Sequence, residues 1–196
     1  MGREEPLTGT RAFCDLDLRE RDNLDKEMTA MVRGIEKKYG FMPNFVKLFA
    51  TDNLRLRVFM EQYMELMRPD SGLTQFEHEL IALVSAATNG CIYCCAHHGA
   101  LLRGETGDPL LAEYVGRNYR QADLSPRHMA MLDFAVKVLT DAEGITSEDR
   151  QALRDAGFDD EQMWTVISTA SFYAAANRMS QAAGLKVTPG YLTMHR

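Results

Sequence analysis

Positive charge is scarce in this 196-residue chain: 22 lysines and arginines stand against 28 aspartates and glutamates, a net charge of -6 at neutral pH and a pI near 5.4. That balance argues against nucleic acid or an anionic membrane as partner, because both need a positive surface. An apolar leader is lacking too: the opening MGREEPLTGT is charged, so no secretory signal is expected there. No glycine-rich phosphate loop is visible, and no flavin, nicotinamide or other cofactor is expected. Cysteine is sparse and badly spread for stapling a fold, with four in all and three of them between Cys91 and Cys95. A reducing cytoplasm is therefore the expected compartment, where close-set cysteines serve redox chemistry or metal binding more often than structure. Convincing strand patterns are also missing. With 45% hydrophobic residues, the expectation is one all-α helical bundle over 1–196, without significant β-sheet and with a flexible leader over 1–16.

Helical signals recur along the chain. Leu24, Met28, Met31, Val32 and Ile35 fall near helical spacing in a segment expected from about Asp17 to Tyr39, stopped by Gly40. A short helix is expected after Pro43, and another from about Asp52 to Arg68. Thr74 with Glu77 forms a capping-box pattern opening the next helix. Asp108-Pro109 and Ser125-Pro126 each read as a cap followed by a first-turn proline, starting helices over about Pro109–Arg120 and Pro126–Asp141. Two more are expected, at about Ser147–Ala156 and Asp160–Ala183. Leu80 to Leu102 carries no Asp, Glu, Lys or Arg over 23 residues, more than the roughly 20 that span a bilayer. Asn89-Gly90 interrupts it, so two helices buried in a protein core are expected and no membrane span. Ile145–Leu185 faintly echoes Leu73–Leu102 in its order of turn, acidic start and small-residue helix.

The chemistry concentrates in EHELIALVSAATNGCIYCCAHHGALL, which sets Cys91, Cys94 and His98 at intervals of three and four residues, with Glu79 twelve residues ahead of Cys91. If Cys91 to Leu102 is helical, both sulfurs and the imidazole share a face. A free thiol with a pKa of about 8.5 is mostly protonated at neutral pH, and only the thiolate attacks well. His98, one turn after Cys94, can take that proton or stabilise the anion. A helix start near Cys91 also favours thiolates. Cα atoms at i, i+3 in a helix lie roughly 5 to 6 Å apart, within the range a disulfide needs, so the pair can cycle without unfolding its helix.

These residues carry a resemblance. Glu79, Cys91, Cys94 and His98, together with PNFVKLFA from Pro43, LSPRHMAMLDFAVKVLT from Leu124 and NRMSQAAGL from Asn177, resemble the alkylhydroperoxidase D-like branch of the carboxymuconolactone decarboxylase family, in its "peroxidase-related" subgroup. The similarity covers about residues 40–185. It implies an all-helical homo-oligomeric enzyme that reduces hydroperoxides and is recharged by an external dithiol, a small thiol protein or a lipoyl-type donor. By the resemblance, Cys94 is the attacking cysteine, Cys91 the resolving one, His98 the base and Glu79 the acid that relays the proton. One departure is Tyr93, which stands where alkylhydroperoxidase D has a histidine and which is a poor base near neutral pH.

The competing reading uses the same four groups as ligands of a structural or sensing zinc site, since zinc accepts two thiolates, an imidazole and a carboxylate. Against it, structural zinc sites usually draw ligand pairs from separate loops. Lactone decarboxylation, found elsewhere in the family, does not need the cysteine pair. Cys95 reads as a small core residue, His97 as a polar neighbour of His98, and Cys14 as incidental.

Overall fold

The computed structural model of the chain describes residues 12–18 and 23–196. Ten α-helices follow one another among them: α1 Lys26–Tyr39, α2 Asn44–Phe49, α3 Asn53–Leu66, α4 Gln75–Thr88, α5 Ile92–Thr106, α6 Pro109–Asn118, α7 Pro126–Thr140, α8 Ser147–Asp155, α9 Asp160–Ala182 and α10 Gly190–Thr193. No strand occurs among the described residues. Most helices start where a side chain can satisfy an otherwise orphaned backbone N–H. Asp25, Asp52, Asp108 and Ser125 each accept from the first turn, and Thr74–Glu77, Thr146–Asp149 and Asp159–Gln162 close reciprocal capping boxes.

Two boundaries differ from expectation for a visible reason. Asp25, and not the region of Asp17, opens α1: its carboxylate accepts from Met28 N and also holds Asn53 and Arg57 of α3. Part of the intervening stretch, residues 19–22, lies outside the described residues. Cys91 precedes α5 instead of lying in it, with extended backbone at φ -82° and ψ 96°. Its sulfur accepts from Cys94 N at 3.2 Å and so serves as the helix cap.

α4 is the hub. Every residue from Glu77 to Ala86 is buried, because α5, α6, α7 and α9 surround it. Leu80, Ile81, Leu83 and Val84 meet Leu102, Val115, Met131, Leu132 and Val166 in the main core; each such side chain contributes about 1.5–3 kcal/mol on burial. Gly90 at φ 69° turns the chain back on itself, and Cys91 N donates to Ala86 O across the turn. α4 and α5 thus form a hairpin. α9 runs parallel to α4, as three bonds in step show: Gln162 Nε2 to Gly72 O at 2.9 Å, Thr169 Oγ1 with His78 Nδ1 at 3.3 Å, and Gln181 Nε2 to Asn89 O at 3.0 Å. The charge-free stretch is divided between α4 and α5, and among the described residues no helix is long and apolar enough to cross a membrane.

A second core cluster covers the cysteines. Leu48, Phe49, Leu56 and Tyr191 pack with Cys91, Tyr93 and Cys94. Cys14, expected within a flexible leader, joins this cluster at 1% exposure. Its neighbours are pinned to the other end of the chain: Asp15 N donates to Ala183 O and Lys186 N to Phe13 O. Residues 1–11 of the expected leader lie outside the described residues.

Candidate active site

α4 carries Glu79 and α5 carries Cys94 and His98, so the hairpin brings together groups separated by up to 19 positions. Glu79 is 1% exposed. A carboxylate taken that far from water needs partners, and it has two: Gln75 Nε2, one turn earlier, donates to Oε1 at 3.0 Å, and His98 Nδ1 lies 2.9 Å from Oε2. Since a carboxylate only accepts, Nδ1 carries the proton of this bond. Nε2 is then the nitrogen available to accept a proton from a neighbour. His98 itself is 5% exposed, held edge-on by Tyr173 at 4.7 Å and face-on by His97 at 4.5 Å between ring centroids.

Cys91 and Cys94 are joined by a disulfide, with their Cα atoms 5.3 Å apart, and are 1% and 4% exposed. The cap geometry aims the first turn of α5 at the Cys91 sulfur, and the partial positive charge of a helix start stabilises a thiolate there once the bond is reduced. Zinc coordination would need the four groups to converge on one point. The sulfurs are instead bonded to each other, the imidazole Nδ1 faces Glu79, and among the described residues no group of three or more His, Cys, Asp or Glu is arranged to hold a metal ion.

The chain matches the carboxymuconolactone decarboxylase family over residues 56–112, a span that contains Glu79, Cys91, Cys94 and His98. An uncharacterized peroxidase-related protein from Silicibacter sp. TM1040 is 35% identical, the match covering 93% of this chain and 96% of that one with a TM-score of 0.88. This chain belongs to the carboxymuconolactone decarboxylase family, in its AhpD-like branch. An uncharacterized peroxidase-related protein from Ralstonia eutropha JMP134, described as an alkylhydroperoxidase AhpD core, is 34% identical over 91% of this chain and 95% of that one, at a TM-score of 0.86. The debrominase Bmp8 shares the fold at 18% identity, 87% and 90% coverage and a TM-score of 0.71. No curated protein matches the chain.

Around this AhpD-like core the structure adds groups that sequence reasoning set aside or missed. Tyr93, between the two cysteines, accepts from Phe45 N at 3.1 Å, and burial raises its pKa. It ties α2 to α5. His97 is only partly buried as a residue, but its Nε2 is sealed from solvent without a partner, and its ring stacks on Tyr191 at 4.6 Å. Burial, then the nearby His98 and Lys38, push its pKa well below 6.5. Tyr173, Asn177 and Ser85 are also buried with side-chain polar atoms unpaired; the parallel register of α4 and α9 sets Ser85 beside Asn177, one turn beyond Tyr173. Of these three, Ser85 and Asn177 lay in stretches that carried the family resemblance and Tyr173 did not, and nothing in the local pattern of Asn177 marked it as facing α4.

Proposed function

We propose that this chain is a thiol-dependent peroxidase that reduces organic hydroperoxides through the Cys91–Cys94 pair. The observation that carries the reading is the buried Glu79–His98 pair, 2.9 Å apart, one helical turn from a cysteine whose sulfur is bonded to its neighbour. The cycle starts from the dithiol, which a reducing compartment such as the cytoplasm maintains. His98 Nε2 takes the Cys94 proton while Glu79 fixes the ring and stabilises the imidazolium. The Cys94 thiolate attacks the terminal oxygen of ROOH; the O–O bond breaks, sulfur gains that oxygen as a sulfenic acid, and RO⁻ takes the proton from His98 to leave as ROH. Cys91 then attacks the Cys94 sulfenic acid, expelling water and closing the disulfide. Its position as helix cap supports this step, because it favours the attacking thiolate.

An external dithiol reopens the bond and is itself oxidised to a disulfide. Leu48, Phe49 and Leu56 in the surrounding cluster favour an alkyl or aryl group on the peroxide over a charged one. Exposed Leu54, Val58, Trp164 and Met179 support assembly into a homo-oligomer through α3 and α9. The deciding test is anaerobic thiol counting before and after one equivalent of cumene hydroperoxide. Two thiols per chain should disappear, and peptide mapping should find Cys91 linked to Cys94. Unchanged thiols, or a bridge to Cys14 or Cys95, would sink the reading.

A further inference from the structure

A second concavity lies on another face of α5, between α6 and the C-terminal tail, with a volume of about 300 Å³. Arg103, Arg117 and Arg196 line it together with Glu113. Glu113 is shared: Arg117 Nε lies 3.2 Å from one of its oxygens and Arg196 Nη2 3.5 Å from the other. Arg103 has no carboxylate partner among the described residues. It is 6% exposed, and its bonds go to backbone only, Nη2 to Tyr191 O at 3.0 Å and to Met194 O at 3.1 Å and Nε to Met194 O at 3.3 Å. Its Nη1 points over Gly99, where an added Cβ would sit 3.6 Å away.

A buried guanidinium whose hydrogen bonds all go to carbonyl oxygens is an unusual expense in an acidic protein. Burial, then the neighbouring Arg196, lowers the Arg103 pKa, and Glu113 offsets them only in part. An anion in the cleft would meet Arg103 at the floor and Arg117 and Arg196 at the rim. The remaining wall is apolar or small, with Leu83, Ala112, Gly116 and Leu192, so it suits a hydrocarbon body better than a second charge.

We infer that this cleft binds a small organic carboxylate, its head held by Arg103, Arg117 and Arg196 and its apolar body laid on Leu83, Gly116 and Leu192. The site is distinct from the cysteine pair and stands whether or not the chain is a peroxidase. Glu113 acts as a resident competitor for the rim arginines.

Calorimetric titration of the full chain with hexanoate, against 1-hexanol at matched ionic strength, tests this directly. Hexanoate should saturate one site per chain and hexanol should not bind. The double variant Arg117→Ala/Arg196→Ala changes side chains that are 80% and 56% exposed, so the fold should hold. It should weaken hexanoate by about tenfold or more, as loss of charge-assisted bonds does. Glu113→Gln, which removes the competing carboxylate, should tighten binding. Absence of saturation, equal binding of hexanol, an affinity in the double variant within roughly twofold of the parent, or weaker binding in Glu113→Gln would each overturn the inference.

Discussion

His97 and His98 are adjacent on one helix and face opposite electrostatic conditions. His98 meets a buried carboxylate at 2.9 Å. His97 meets ring faces, Tyr191 at 4.6 Å on one side and His98 on the other, and its Nε2 has nothing to bond. A proton on His98 has a counter-charge waiting, whereas one on His97 would be stranded beside a second imidazole. The same side chain is thus fitted for proton transfer at one position and for stacking at the next. What assigns the roles is the element opposite each face of α5: α4 with Glu79 on one side, the C-terminal tail on the other.

The largest effect should come from the sulfur that His98 serves. Cys94→Ser should abolish peroxide consumption, while Cys91→Ser should allow one turnover and leave a sulfenic acid that dimedone traps. Steady turnover in Cys91→Ser would break the assignment of the two sulfurs. Next comes the partner of His98. Glu79→Gln keeps the shape and a possible hydrogen bond but removes the charge that stabilises the imidazolium, so the rate of Cys94 oxidation should fall by about 10²- to 10⁴-fold. A rate within a few-fold of the parent would mean that the pair is structural, and the contrast with His97 would lose its meaning.

Much of this was legible in the residues. The capping box at Thr74–Glu77, the break at Asn89-Gly90 and the proline starts of α6 and α7 rest on local backbone chemistry, and local chemistry decided them. The helix start near Cys91 was legible from that break, but the cap role of Cys91 was not. Cysteine is not among the usual cap residues, so Cys91 was counted as the first helical residue, while its sulfur in fact accepts the Cys94 N–H. Glu79 could be picked over Glu77 only through the family spacing, with the capping box explaining Glu77. Tyr173 and Asn177 stayed hidden because their relevance depends on α9 lying parallel to α4, a long-range packing fact. Cys14 was misplaced for the same reason: the bonds that bury its segment go to Ala183 and Lys186.

Tyr93→Phe probes the cover over the site at a smaller scale. Phe45 N belongs to the first turn of α2, where backbone donors have no partner inside the helix, and the Tyr93 hydroxyl supplies its acceptor at 3.1 Å. Removing that oxygen should cost about 1–3 kcal/mol in urea unfolding. Cys94 reactivity per folded molecule should change little. A large loss of reactivity at full stability would instead make Tyr93 a proton carrier, in place of the tether described above.

The smallest expected effect belongs to His97 and carries a sign. Its folded pKa lies well below 6.5, chiefly through burial, whereas in the unfolded chain it titrates near its reference of about 6.5. Between those values the unfolded state binds more protons, so folding stability is complete above about pH 6.5 and declines as pH falls below it. One such group accounts for at most about 1.4 kcal/mol per pH unit. His78 and His128 are shifted in the same direction, again mainly by burial, so the acid decline is shared. His97→Phe preserves the stack on Tyr191 and removes one titrating group. The difference in urea midpoint between pH 7.5 and pH 5.5 should therefore narrow but not vanish. An unchanged difference would show that His97 is charged in the folded protein, which would put a second proton beside His98 and remove the asymmetry between the two faces of α5.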